Sequence, residues 1–232
     1  MTTEARHPDT VLFDLDGTLL DTAPDLIAAA NTLLREYGRA PLPEGFYAPV
    51  VSHGSAAMVA RSFHVAPDDP AMPALRDRFL TLYANRVSRY TRPFPGIAPL
   101  LEELERCGVR WGVVTNKPGW LTEPLLAQTG LATRAGCIVS GDTLAWRKPD
   151  PRPILHACTC LDIEPGRALV LGDAQRDIDA GRRAGTTTLA AMFGYICAED
   201  HPADWGAHGL AEHPADILRW LRPDAPGRTR VA

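Results

Sequence analysis

The chain has 232 residues, of which 45% are hydrophobic and 22% are charged, a composition typical of a soluble globular protein. A formal net charge of −4 provides no basic surface, which argues against nucleic acid as a partner. No apolar run could span a membrane, the first residues lack the apolar region of a signal peptide, and the five cysteines follow no metal-binding spacing. We therefore expect a cytoplasmic protein without a membrane partner, either a monomer or a homodimer.

Two carboxylates follow the first predicted strand, at 11–14. Asp14 and Asp16 are two residues apart, so on an extended chain both side chains point to the same face. Gly17 then permits a sharp change of direction. Two like charges held together raise the cost of ionising each other, and a metal ion or a proton must relieve that cost. The pair therefore indicates a site suited to phosphoryl chemistry.

The region after this strand is too long for an ordinary crossover between parallel strands. A hydroxyl at Thr22, followed closely by a proline and an acid, predicts the start of a helix. Two more helical stretches are predicted at 55–63 and 74–89. A pair of prolines follows them and marks where the chain returns to the core. The predicted division is a helical cap at 22–92, inserted into a core made of 1–21 and 93–232.

The rest of the chain alternates strands and helices, which is typical of an α/β protein with a Rossmann-like parallel sheet. Further strands are predicted at 109–115, 137–140, 168–172 and, more weakly, 187–191. Helices are predicted at 100–107, after the prolines near 151, and at 177–184. Ligands of such sheets bind at the carboxyl ends of the strands.

Polar residues stand at those carboxyl ends. Thr115 and Asn116 end one strand, Lys148 precedes a helix, and Asp173 ends another strand with Asp177 four residues later. In chain order these features, after the opening Asp-x-Asp-Gly-Thr motif, resemble the four motifs of the haloacid dehalogenase-like phosphatase superfamily. The resemblance spans about residues 10 to 195, and the predicted helical cap is similar to the small helical cap of that family.

The resemblance implies a role for each motif residue. Asp14 resembles the nucleophile that takes the phosphoryl group, and Asp16 resembles the general acid and base. Thr115 and Lys148 would hold phosphoryl oxygens and offset charge during catalysis, together with Asn116. Thr18 would contact the substrate as well.

The charge of these residues predicts a metal ion. Four aspartates beside one lysine carry a formal net charge of −3, which repels an anionic phosphate. Mg²⁺ would reduce that charge, and it prefers oxygen ligands while keeping several waters. The resemblance places the ion on the carboxylates of Asp14 and Asp173 and on the backbone carbonyl of Asp16, with Asp177 in an outer or water-mediated position.

Within the superfamily the chain resembles the phosphoglycolate phosphatases and, in three short segments, the N-acetylmuramic acid 6-phosphate phosphatases. Both substrates are small phosphate monoesters that carry a carboxylate, so a cation near the cap is expected. Arg61 is the first candidate for that cation and Lys117 is the second. His53 would touch the substrate where the cap meets the core.

Two alternatives remain open from the sequence. A sugar phosphomutase of the same superfamily would share the core motifs and the cap. A non-catalytic phosphate-binding regulator could keep the fold, but it would be expected to have lost Asp14 or Asp16, and this chain keeps both.

Overall fold

The structure, a computed structural model, describes residues 7–221 of the chain. Its strands are β1 (Thr10–Phe13), β2 (Leu20–Asp21), β3 (Arg92–Pro93), β4 (Arg110–Val114), β5 (Ile138–Val139), β6 (Ala168–Gly172), β7 (Thr187–Ala191) and β8 (Gly209–Ala211). Its α-helices are α1 (Ala23–Glu36), α2 (Glu44–Tyr47), α3 (Ser55–Phe63), α4 (Met72–Ala84), α5 (Ile97–Arg106), α6 (Gly119–Gln128), α7 (Arg152–Cys160) and α8 (Gln175–Ala184).

Six strands form one parallel sheet in the order β5-β4-β1-β6-β7-β8. β1 lies near the middle, and its apolar side chains pack on both faces: Val11 and Phe13 join one buried cluster, and Leu12 joins another. A strand buried on both faces explains the uninterrupted apolar run in the sequence. The predicted α/β fold with a parallel sheet is confirmed, and the five predicted strands correspond to β1, β4, β5, β6 and β7. The sixth strand, β8, was not predicted because it is short and partly exposed.

The predicted helices are observed, with shifts at their ends. α3 has the predicted bounds, whereas α4 begins two residues before the predicted 74–89 stretch and ends earlier. α2 and α6 were not predicted: α2 has four residues, and α6 contains Gly119 and Pro124, which lower helix propensity. Among residues 7–221, none of the helices has both the length and the hydropathy needed to cross a bilayer.

Helices α1 to α4 lie between β2 and β3, which pair with each other in antiparallel orientation. The two ends of this stretch therefore lie side by side at the edge of the core. Asp25, buried at the start of α1, strengthens the junction by accepting hydrogen bonds from the backbone N–H groups of Tyr90 and Thr91 at 2.9–3.1 Å. We call the stretch the helical segment 22–92.

The topology brings three loops to one place. β4, β1 and β6 are neighbours and run in the same direction, so the loops after them open at the same edge of the sheet. Asp14 follows β1, Thr115 follows β4 and Asp173 follows β6. The polar groups that the sequence places at strand ends are therefore neighbours in the structure.

Candidate active site

Three buried carboxylates converge at this edge of the sheet. Asp14, Asp173 and Asp177 are each at most 4% exposed, and a carboxylate oxygen of each lies within 4.8 Å of the others. Asp177 lies in the first turn of α8, where its Oδ2 also accepts the backbone N–H of Ala174 at 3.1 Å. A carboxylate is favoured at that end of a helix because of the free N–H groups there.

Lys148 is the cation of this cluster. Its buried Nζ donates to Asp14 Oδ1 at 2.6 Å and to the carbonyl oxygen of Val114 at 2.5 Å, and it lies 2.8 Å from Asp177 Oδ1. The Asn116 side chain fixes the Lys148 backbone, accepting its N–H at 3.0 Å and donating to its carbonyl at 2.9 Å. The amide group of Asn116 therefore positions the lysine.

The carboxylates outnumber the cations, and their pKa values reflect it. Burial raises the pKa of Asp14 to about 6, with the charge of Asp177 adding to it and the charge of Lys148 opposing it. Burial and the charges of Asp14 and Asp177 raise the pKa of Asp173 to about 8. Burial disfavours the charged form of Lys148, but the two neighbouring carboxylates outweigh it and raise its pKa. A bound cation would relieve this excess of negative charge, and three carboxylates form the hard oxygen donor set that suits Mg²⁺.

Asp16 stands apart from this cluster. Its side chain is 23% exposed, and its Oδ1 accepts hydrogen bonds from Lys117 Nζ at 2.9 Å and from the Thr22 hydroxyl at 2.6 Å. Lys117 Nζ also lies 4.5 Å from the centre of the Tyr83 ring, a cation–π contact with the helical segment 22–92. Burial opposes the charge of Lys117, but Asp16 outweighs it and raises the pKa of the lysine.

The turn after Asp16 explains the glycine and threonine of the first motif. Gly17 has φ of +92°, and a Cβ there would lie 2.1 Å from Asp173 Oδ2. Thr18 is fully buried and donates its hydroxyl to Asp173 Oδ1 at 3.2 Å, while the backbone N–H of Tyr195 donates to Oδ2 at 3.1 Å. The sequence predicted that Thr18 contacts the substrate, whereas in the structure its hydroxyl holds Asp173.

A cavity of about 420 Å³ separates these loops from the helical segment 22–92. From the core it is lined by Asp14, Asp16, Thr115, Asn116, Lys117 and Arg176, and from the helical segment by His53, Ser55, Arg76, Leu80 and Tyr83, among others. The Thr115 hydroxyl oxygen accepts a hydrogen bond from the backbone N–H of Lys117 at 3.1 Å. His53, Thr115 and Lys117 therefore all lie at the cavity, and the roles predicted for them from the sequence stay predictions.

The cations of the cavity differ from the prediction in two respects. Arg61 does not line it: its Nε donates to the carbonyl of Phe46, and its guanidinium lies 4.6 Å from the centre of the Phe46 ring. Arg76 of α4 is the arginine of the helical segment 22–92 that lines the cavity instead. Arg176, in the first turn of α8, was not predicted from the sequence, although it stands directly before Asp177. Burial disfavours its charged form, but the charges of the aspartates outweigh burial and raise its pKa.

Comparisons with known proteins agree with this geometry. A family model described as haloacid dehalogenase-like hydrolase matches residues 11–191. The N-acetylmuramic acid 6-phosphate phosphatase of Pseudomonas aeruginosa is 46% identical over 208 residues, which cover 90% of this chain and 92% of that protein. The phosphoglycolate phosphatase of Xylella fastidiosa is 42% identical over 212 residues, covering 91% of this chain and 92% of the relative.

A solved structure from Haemophilus somnus, described as a predicted phosphoglycolate phosphatase, has a TM-score of 0.80 and 26% identity to this chain. The match covers 91% of this chain and 97% of that structure. The family resemblance seen in the sequence is confirmed by the match over residues 11–191 and by relatives above 40% identity that span nearly the whole chain. This chain belongs to the haloacid dehalogenase-like hydrolases.

Proposed function

We propose that the chain is a magnesium-dependent phosphatase that hydrolyses small phosphate monoesters bearing a carboxylate. The observation that carries this proposal is the buried cluster of Asp14, Lys148, Asp173 and Asp177, which meets the cavity at Asp14, with Asp16 on the same loop as Asp14. The names of the two relatives, both phosphatases of carboxylate-bearing monoesters, support it.

The carboxylates of Asp14 and Asp173 and the backbone carbonyl of Asp16 would hold the Mg²⁺, with Asp177 supporting them. Bound there, the ion would neutralise charge on the phosphoryl oxygens. Asp177 would serve this site mainly through Lys148 and the turn at Ala174, because its two oxygens already face those groups.

Asp14 would be the nucleophile. Lys148 holds its Oδ1 at 2.6 Å, which leaves the other oxygen to attack phosphorus and form an aspartyl-phosphate. Lys148, Thr115 and Arg176 would then hold phosphoryl oxygens, whose charge they offset in the transition state.

Asp16 would carry the protons. In the first step its carboxyl would protonate the leaving alcohol, and in the second its carboxylate would take a proton from the water that attacks the aspartyl-phosphate. Thr22 and Lys117 both donate to its Oδ1, so Oδ2 is the oxygen left for this exchange. The helical segment 22–92 would act as the cap that closes over the substrate.

A phosphate-release screen over small monoesters tests the proposal, with phosphoglycolate and N-acetylmuramic acid 6-phosphate among them. We expect release that requires a divalent metal and that falls by about 10⁴-fold or more in Asp14→Asn, which removes the nucleophile but keeps the size of the side chain. Circular dichroism checks that the variant is folded.

The outcomes separate the proposal from its alternatives. Full activity of Asp14→Asn, or release that survives complete chelation, would contradict it. An isomerised sugar phosphate in place of free phosphate would indicate a phosphomutase. Binding of phosphate without turnover of any ester would indicate a regulator.

A further inference from the structure

We infer that the cavity binds a second, remote anion of the substrate at Arg76 and the start of α3, and that the substrate is therefore a carboxylated phosphate ester of hexose size. This inference rests on the proposed phosphatase function. It assigns to the helical segment 22–92 a binding site that distinguishes the two substrates named above.

One face of α4 forms a wall of the cavity. Arg76, Leu80 and Tyr83 follow the i, i+4, i+7 spacing of a helix face, and all three line the cavity. Other apolar residues of α4, such as Leu75 and Phe79, are buried within the helical segment instead. The three cavity residues therefore lie in a row along the helix.

The row has one end near the reaction. Tyr83 contacts Lys117, whose Nζ lies 2.9 Å from Asp16 Oδ1, so this end faces the proposed acid and base. Arg76 lies seven residues earlier, which is roughly 10 Å along a helix axis at 1.5 Å per residue. The side chains of both residues tilt toward the N-terminus of the helix, so the tilt does not change the spacing between them.

The far end is suited to an anion. Among residues 7–221 Arg76 forms no ion pair, and its Nε donates to the Ser55 hydroxyl at 3.0 Å, which leaves the terminal nitrogens of the guanidinium for a ligand. α3 begins at Ser55 after Gly54, which supplies no capping side chain, so the first N–H groups of α3 lie open at the same wall. A guanidinium beside a helix N-terminus is a site for a carboxylate or a phosphate.

A buried hydroxyl indicates that a ligand fills the space between the two ends. Tyr83 is fully buried and lines the cavity, and the polar group beside its hydroxyl is the Lys117 ammonium group, which can only donate. The proton of the hydroxyl therefore has no acceptor among the described residues. A buried donor without an acceptor is costly, and a substrate hydroxyl or amide oxygen would satisfy it. Leu80, between Tyr83 and Arg76, offers an apolar contact for the body of the ligand.

The chemistry of the two candidate substrates then separates them. In phosphoglycolate a single methylene lies between the ester oxygen and the carboxylate, so one molecule cannot reach both ends of the row. In N-acetylmuramic acid 6-phosphate a sugar ring lies between the phosphate on one side and the lactyl carboxylate on the other. A cavity of about 420 Å³ falls within the roughly 300–1,000 Å³ of sites that enclose ligands of that size or larger.

Steady-state kinetics on a matched pair of sugars test the inference. N-acetylglucosamine 6-phosphate is the same sugar with a hydroxyl in place of the lactyl ether that carries the carboxylate. We expect the wild type to prefer N-acetylmuramic acid 6-phosphate over it and over phosphoglycolate in kcat/KM. In Arg76→Ala the ratio of the carboxylated to the plain sugar should fall by about tenfold to a hundredfold, as for the loss of a charged hydrogen bond.

Arg78→Ala is the matched control, because it removes an arginine from the same helix whose guanidinium pairs with Glu36 on the exposed side, outside the cavity. This variant should keep the wild-type ratio. An Arg76→Ala variant that loses activity equally on both sugars, or a wild type that prefers phosphoglycolate, would overturn the inference.

Binding separates this inference from the proposed function. In the Asp14→Asn background, calorimetry should show that Arg76→Ala raises the Kd of N-acetylmuramic acid 6-phosphate by the same factor of about tenfold to a hundredfold. An unchanged Kd would overturn the remote anion site, even for an active enzyme. A wild type that hydrolyses no ester would refute the phosphatase, while the Kd would still decide the site.

Discussion

The two ends of the cavity are built differently. In the cluster that adjoins the core end, Lys148 contacts three oxygens and Asp173 is held by Thr18 and by the backbone of Tyr195, and both charged side chains are buried. At the other end Arg76 is held by its hydrogen bond to Ser55 and is partly exposed. Buried charges require partners, whereas an exposed cation can rely on water. The proposed chemistry would therefore depend on side chains that the protein holds in place, whereas recognition of the remote part of the substrate would depend on few residues.

After Asp14→Asn, Asp16→Asn is the substitution at the core end with the largest expected effect. An amide cannot donate and accept the proton that both chemical steps need, so we expect phosphate release to fall by about 10²- to 10⁴-fold on every substrate. Stopped-flow and steady-state phosphate assays measure it. Asp9→Asn, before β1 and paired with Arg167 on the surface, is the control and should keep wild-type activity. Unchanged hydrolysis in Asp16→Asn would remove this residue as acid and base.

The buried carboxylates predict how stability depends on pH and metal. Asp14 and Asp173 have pKa values raised from 3.8 to about 6 and about 8, so between roughly pH 4 and 8 the folded protein binds more protons than the unfolded one. Their contribution to the free energy of unfolding therefore falls as the pH rises through that window, when no metal is bound.

Mg²⁺ should reverse this loss. At a concentration of 100 Kd it would add about 2.7 kcal/mol, which is roughly 5–10 °C in Tm for a chain of this size. Because protons compete for the same carboxylates, the increase in Tm should be larger at pH 8 than at pH 5. Differential scanning calorimetry with Mg²⁺ or a chelator measures it. An increase that is equal at both pH values would contradict the assignment of the ion to these carboxylates.

The contrast between the two ends of the cavity also explains which residues the sequence could predict. Asp14, Thr115, Lys148 and Asp173 were found because each follows or precedes an element of the core at a fixed place, and parallel strands bring their carboxyl ends together. Their partners were harder to see. The role of Thr18 depends on Gly17 bringing the chain within contact distance of Asp173, which no spacing in the sequence reveals.

The helical segment was less predictable for a physical reason. Periodicity shows which face of a helix is apolar, but it does not show which of several polar positions faces the core across a cavity. Arg61 and Arg76 lie on neighbouring helices, and the packing of α3 against α4 turns one toward Phe46 and the other toward the cavity. Only the arrangement of the helices distinguishes them.

Thr18→Val would sharpen the contrast at the core end. The change keeps the shape of the side chain but removes the hydroxyl that donates to Asp173 Oδ1, so one proposed metal ligand loses its support. We expect the affinity for Mg²⁺ to fall by about 10- to 100-fold. Titration of activity against Mg²⁺ measures it. Thr10→Val, a buried threonine at the opposite end of β1, is the control; an equal shift in both variants would contradict a specific role for Thr18.

Ser55→Ala is the smallest change and tests the other end of the cavity. Without the Ser55 hydroxyl, Arg76 keeps its charge but loses the hydrogen bond that holds its Nε. We therefore expect KM for the carboxylated sugar phosphate to rise by about twofold to tenfold, less than in Arg76→Ala, with kcat little changed. The control is Thr81→Ala, which removes an exposed hydroxyl of α4 bonded to the Asp77 carbonyl. A loss in kcat as large as that of Asp16→Asn would show that this end takes part in the chemistry, and the division between the two ends of the cavity would not hold.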